Sequence, residues 1–345
     1  MVECFHQVFF FDVNMVKLRA WTCLAATKLC MSLILSEQIP RVIWVGLDDV
    51  NCHPEYGFDE RYPTSYEGER EMNTENRKVG LFFILAFVYT WILYLPSVLV
   101  GAGLMPAPFN MAIYASITLI VGAFGPMLAA ITLLVRSSGW SGAWQLIRKA
   151  FDFRLKPIYF LAAFALPLII TAGAHYFITL ARIDVLPDTL LPDNLPYPVI
   201  VWAIPAFFSM LFIGGGQEEF GWRGYAQEPL QDRFGVIKGS TLLGAIWGLW
   251  HLPLWFIPGD PHAFYPFIAF FIFTIAFSVQ IAWLYNGSGK KLIIPWIMHA
   301  MNNTMLPLFP VYRLEPNVVQ TGAWVHVGIN VLIAIMIGFA LLRSD

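Results

Sequence analysis

Two carboxylates and an arginine, Glu218, Glu219 and Arg223, follow directly on an apolar run from Pro198 to Ile213. A charge at the centre of a membrane helix costs about 2.5 to 3.5 kcal/mol on insertion scales, so this cluster must face a protein-lined, partly wet cavity. On a helix Glu219 and Arg223 are four residues apart and share a face, with the acid on the N-terminal side. Glu218 lies about 100° round the helix and is left for other work. Two further polar sets stand inside apolar segments. His251 lies in the run Thr241–Trp255, roughly 15 to 18 Å along a helix from Ser240 at about 1.5 Å per residue. His299 and Asn303 are four apart within 293–304 and share a face, while Asn302 points elsewhere.

A carboxylate pair with an arginine, a histidine, and a histidine with an amide, on three different segments, suit acyl transfer. Attack of water on an amide carbonyl needs a base for the proton and donors for the oxyanion, both working best where bulk water is excluded. A histidine or arginine neighbour keeps a buried glutamate ionised, so Glu218 is poised as a base. Other hydrolase layouts do not fit. The sequence has no His-Glu-x-x-His, and Gly139-Trp140-Ser141-Gly142 and Ser288 fall in polar connections. Asp260 lies in a Pro-Gly-Asp-Pro loop, so no intramembrane aspartate pair exists. A non-catalytic scaffold or immunity protein would not need these costly groups together. A proton-coupled carrier using Glu218 and Glu219 is a third reading, opposed by the lack of internal repeats.

The elements that must position these residues are membrane spans. The chain has 345 residues, 58% hydrophobic and 13% charged, with mean hydropathy +0.62; this is the composition of a polytopic membrane protein, beyond what a soluble core can hide. A net charge of −2 leaves no footprint for nucleic acid. Cys4, Cys23, Cys30 and Cys52 all precede the hydrophobic body, without metal or disulfide spacing. Eight spans are expected near 80–103, 111–135, 157–181, 197–220, 240–258, 264–285, 292–311 and 322–342. The connections test this: thirteen Lys and Arg, from Arg77 through Arg223 to Arg343, fall on one side and only Arg182 and Arg313 on the other. Both ends are therefore expected in the cytoplasm. Trp144–Lys156 reads as an amphipathic surface helix, residues 183–197 as a solvated acidic loop, and Pro253 as a bend beside His251. His175 reads as structural, His262 and His326 as near the outer face, and His6 and His53 as part of the N-terminal region.

Residues 1–79 form a polar N-terminal extension, with a weak candidate helix over Lys17–Ile39 and Met72 as an alternative start; residues 80–345 form the membrane domain. The set Glu218-Glu219-x-x-x-Arg223, Trp247 four before His251, and His299-x-x-x-Asn303, in that order on separate spans, resembles the CAAX-protease and bacteriocin-processing (Abi) family of intramembrane proteases over roughly residues 190–310. The resemblance implies an all-α fold of about eight transmembrane helices, with the active site between spans 4, 5 and 7. It implies an endopeptidase in which Glu218 and His251 activate water, His299 and Asn303 hold the oxyanion, and Glu219, Arg223 and Trp247 orient the site or the substrate. Metal-independent hydrolysis is what it implies; zinc on Glu218, His251 and His299 is the alternative. Substrates would be prenylated CAAX-like tails or bacteriocin-type peptides, cleaved near the cytoplasmic membrane face; the short loops suit a prokaryotic plasma membrane, with the endoplasmic reticulum as the alternative.

Overall fold

The computed structural model describes residues 12–13, 16–22, 29–35, 43–45, 65–107, 110–191 and 198–343, in two compact units, Met1–Thr64 and Ser65–Asp345. The first contains four strands, β1 (Asp12–Val13), β2 (Val16–Thr22), β3 (Leu29–Leu35) and β4 (Ile43–Val45), paired antiparallel in chain order. This corrects the helix expected over Lys17–Ile39. Val16, Leu18 and Ala20 alternate with Lys17 and Arg19, and that period of two belongs to a strand. Cys4, Cys23, Cys52, His6 and His53 lie outside the described residues.

The second unit is helical: α1 (Ser65–Gly101), α2 (Met111–Gly122), α3 (Gly125–Ala150), α4 (Pro157–Leu180), α5 (Val199–Phe212), a short turn α6 (Glu219–Gly221), α7 (Gln227–Phe234), α8 (Val236–Trp250), α9 (Phe267–Gly287), α10 (Ile293–Leu308) and α11 (Thr321–Leu342). Among the described residues four helices are long and apolar enough to cross a membrane, or five if α2 and α3 form one span bent by 41°. The protein is therefore a polytopic, all-helical membrane protein in this unit. The helices that carry the polar sets are the short ones: α5, α8 and α10 have 14, 15 and 16 residues. At about 1.5 Å per residue they reach roughly 21 to 24 Å, less than a full hydrocarbon thickness.

Each is cut short by its own sequence. α5 stops at Phe212 before Gly214-Gly215-Gly216, where Gly215 takes φ +120°. α8 stops at Trp250, with His251 closing the helix and Leu252–Phe256 continuing as a 3-10 turn; Pro253 therefore follows the helix end instead of bending a continuing helix. The expected second span breaks at Ala123–Phe124, where Gly125 and Pro126 start a new helix. Small residues let these pieces approach closely. The Thr90 hydroxyl donates to the Gly122 carbonyl at 2.7 Å, Gly221 abuts the Pro126 backbone, and Gly244 and Gly248 lie against Thr274 and Ser278 of α9. The amphipathic segment is the second half of α3, turned at Gly139 (φ +67°), and it ends at Ala150, before the expected Lys156. Trp140, Trp144, Phe151 and Phe153 are exposed there. Of the acidic loop 183–197, residues 192–197 lie outside the described residues.

Candidate active site

The broken end of α5 would leave carbonyls unpaired, as every helix C-terminus does, and α10 supplies their partners. Trp296, His299 and Asn303 follow one another at spacings of three and four and form one stripe on α10. The Trp296 indole donates to the Leu211 carbonyl at 2.6 Å, and the Asn303 amide nitrogen to the Gly214 carbonyl at 2.9 Å. Asn302 donates to the Asn303 Oδ1 at 3.1 Å, which fixes the amide the right way round. The Gln217 Oε1 closes the glycine turn by accepting from the Gly215 N–H at 3.0 Å. A Cβ at Gly215 would lie 2.6 Å from Asn303 Nδ2 and 2.8 Å from His299 Nε2. Two donor-capable nitrogens thus converge on a backbone that must be glycine both for space and for its φ.

Glu218 and Glu219 part company here. Glu218 ends a single 3-10 turn, Gly216–Glu218, and its Oε2 accepts from the indoles of Trp247 at 2.9 Å and Trp222 at 3.3 Å. Glu219 turns away: its Oε1 accepts from Arg223 at 2.8 Å and from His299 Nδ1 at 2.7 Å. Arg223 is carried on a π-helical stretch, Trp222–Ala226, a departure from α-geometry frequent at functional sites. Its guanidinium also stacks on the Trp247 ring, 4.7 Å from the centroid. Glu219 and Arg223 are both wholly buried and do not line the cavity beside Glu218. This corrects the expectation that all three charges face a cavity, and it removes Arg223 from the basic connections, leaving twelve against two (13 − 1).

His251 is held by its own helix end, its Nδ1 donating to the Trp247 carbonyl at 2.8 Å, so the free ring nitrogen is Nε2. Trp247 therefore touches four of these residues: its indole holds Glu218, its carbonyl holds His251, and its ring packs against His299 at 5.1 Å and under Arg223. Trp222 was the partner that sequence reasoning passed over as a donor. It lies four residues after Glu218, and that spacing was the signal. His175 donates from Nδ1 to the Pro310 carbonyl oxygen at 2.7 Å, a structural tie. Ser141 is exposed and donates to the Ser138 carbonyl at 2.8 Å, far in role from a nucleophile.

Glu218, His251, His299 and Asn303 open onto one cavity of about 480 Å³. Its other walls come from α1, α2, α9 and α11, more elements than the three expected, and from the connection 257–266, which folds back to bring Asp260, His262 and Tyr265 to the site. The exposed lining residues Pro261 and Leu314 mark its mouth, and Ile120 and Ile213, each 41% exposed, mark a second, apolar opening in its wall. The mouth lies at the end of the helices away from the Lys290–Lys291 connection, on the side of Arg182 and Arg313. Basic connections in the cytoplasm and cleavage near the cytoplasmic face therefore do not hold together. Among the described residues no group of three His, Cys, Asp or Glu side chains is placed to hold a metal ion.

A polytopic helical membrane protein with carboxylate, imidazole and amide groups around one cavity has the groups that hydrolysis within a membrane would call on. Comparison with known proteins finds two matches. A family model described as type II CAAX prenyl endopeptidase Rce1-like matches residues 200–305, the stretch that holds every site residue above. CAAX prenyl protease 2 of Methanococcus maripaludis is 25% identical over 254 residues, covering 70% of this chain and 88% of that protein. Over these residues the chain is similar to CAAX-type membrane peptidases, and the similarity supports a peptidase.

Proposed function

We propose that the protein is a glutamate-dependent intramembrane endopeptidase, in which Glu218 and His251 activate water and His299 with Asn303 hold the oxyanion. The observation that carries this reading is the convergence of His299 Nε2 and Asn303 Nδ2 at Gly215, beside a Glu218 fixed by two indoles. With Oε2 of Glu218 occupied, Oε1 is the oxygen that takes the proton of a water, while His251 Nε2 accepts the water's other hydrogen and fixes its attack direction. His299 gives Nδ1–H to Glu219, so donation from Nε2 as well requires the imidazolium. Glu219, Arg223 and Trp247 are then positioning residues: Glu219 holds His299 through Nδ1, Arg223 holds Glu219, and Trp247 holds Glu218.

The substrate class in this reading is a membrane-anchored peptide, a prenylated CAAX-like tail or a bacteriocin-type peptide, with its apolar part at the apolar opening beside Ile120 and Ile213. Residues 80–345 form the catalytic membrane domain of a prokaryotic plasma-membrane protein, and residues 1–79 an extension. The reaction needs no metal, and the test is direct: cleavage of a fluorogenic farnesylated CAAX peptide by the purified protein should be unchanged by a zinc chelator. Loss with chelator, restored by zinc, would contradict the metal-free mechanism.

A further inference from the structure

We propose that Asp260 and His262 form a second acid–base pair of this cavity, with His262 supplying the proton that the departing amine takes as the peptide bond breaks; this rests on the hydrolysis reading above. The connection 257–266 is shaped to present the pair. Gly259 takes φ +80°, and Asp260 caps the 3-10 turn Pro261–Phe264, its Oδ1 accepting from the His262 N–H at 2.9 Å. The same Oδ1 accepts from His262 Nδ1 at 2.7 Å, so the imidazole is oriented and its Nε2 is the free nitrogen. Asp260 is buried at 6% exposure while the His262 side chain is 33% exposed. Both line the cavity with Glu218, His251 and His299. The His262 and His251 ring centroids are 6.1 Å apart, and both rings pack edge-on against Phe270, at 5.3 and 5.0 Å. A turn needs only a capping oxygen, which Ser or Asn provides as well. A buried carboxylate aimed at an imidazole on the cavity wall goes beyond that need.

The protons balance. A C–O bond forms and the C–N bond breaks; water's first proton goes to Glu218, and the amine nitrogen receives one from His262 Nε2–H. Once the products leave, Glu218 gives up the proton it took and His262 regains the one it gave, so both groups return to their starting state with no net proton change.

An amine leaves poorly without a proton, whereas an alcohol leaves far more readily, so the test compares a farnesylated CAAX peptide with the depsipeptide carrying an ester at the scissile bond. In the full-length protein in detergent, His262→Gln should lower amide turnover about 10²-fold, with KM little changed, and ester turnover by less than about 5-fold. Asp260→Asn, which keeps the cap on the His262 N–H, should lose about 10-fold on the amide alone. Equal losses on both substrates, or none on either, would overturn the proposal. Glu218→Gln separates the two readings: it should abolish both cleavages, and if it leaves both intact, or if wild type cleaves neither, the hydrolysis reading falls and takes this inference with it.

Discussion

At Gly215 the backbone φ of +120° and the two nitrogens that crowd its missing Cβ make one demand. Gly215→Ala should therefore push Asn303 and His299 apart and cost about 10² to 10³-fold in turnover, the range seen when an oxyanion donor is lost. Binding of a substrate peptide should survive, and a photo-crosslinking substrate analogue would show whether it does; intact turnover would contradict the placing of the oxyanion. The residue scale is also where the sequence was most legible. Helical spacing alone paired Glu219 with Arg223 and His299 with Asn303, because i, i+4 geometry is local. What spacing did not reveal was that His299 bonds Glu219 instead of Glu218, and that Glu218 also takes the Trp247 indole. Those are contacts between segments up to 80 residues apart, set by how three helices pack.

Between elements, the end of the helices opposite the cavity mouth is tied by charge. Lys291, in the α9–α10 connection, donates to Asp152 at 2.7 Å, and neighbouring Lys290 donates to Glu228 of α7 at 2.9 Å, where the Tyr285 hydroxyl joins at 2.9 Å. The hydrogen bond from Arg154, then that from Lys291, holds the Asp152 carboxyl well below its usual range. Burial pushes Glu228 up, but the bonds from Lys290 and Tyr285 outweigh it and the net direction is down. Both are depressed acids, so the stability they give is present above about pH 4 and is lost as the pH falls through their lower folded values. Thermal unfolding in detergent should show an acid-side loss that is shallower in an Asp152→Asn, Glu228→Gln double variant; an identical slope would contradict the tie. Length was the element property that sequence misjudged. Hydropathy counts apolar residues and so merges α5 with its glycine turn, α8 with its 3-10 turn, and α2 with α3, whereas glycine, proline and the needs of the site end each helix early.

For the whole molecule, the twelve-to-two bias of Lys and Arg predicts the α9–α10 connection in the cytoplasm and hence the cavity mouth on the other face. Leu314, exposed at that mouth, should as a single Leu314→Cys, with Cys4, Cys23, Cys30 and Cys52 replaced, react with an impermeant maleimide on intact cells. Labelling only after permeabilisation would reverse the orientation and return cleavage to the cytoplasmic side. The membrane class was legible from composition, since it depends on the sum of residues. The cavity was not, because half of its wall comes from connections, such as 257–266, whose path no periodicity encodes. The central claim, that Glu218 is the base of a membrane peptidase, is tested most directly by mass spectrometry of a farnesylated CAAX peptide incubated in H₂¹⁸O with wild type and with Glu218→Gln. The account predicts a product carboxylate carrying ¹⁸O with wild type and at least about 10³-fold less product with the variant; equal cleavage by the two proteins would contradict it.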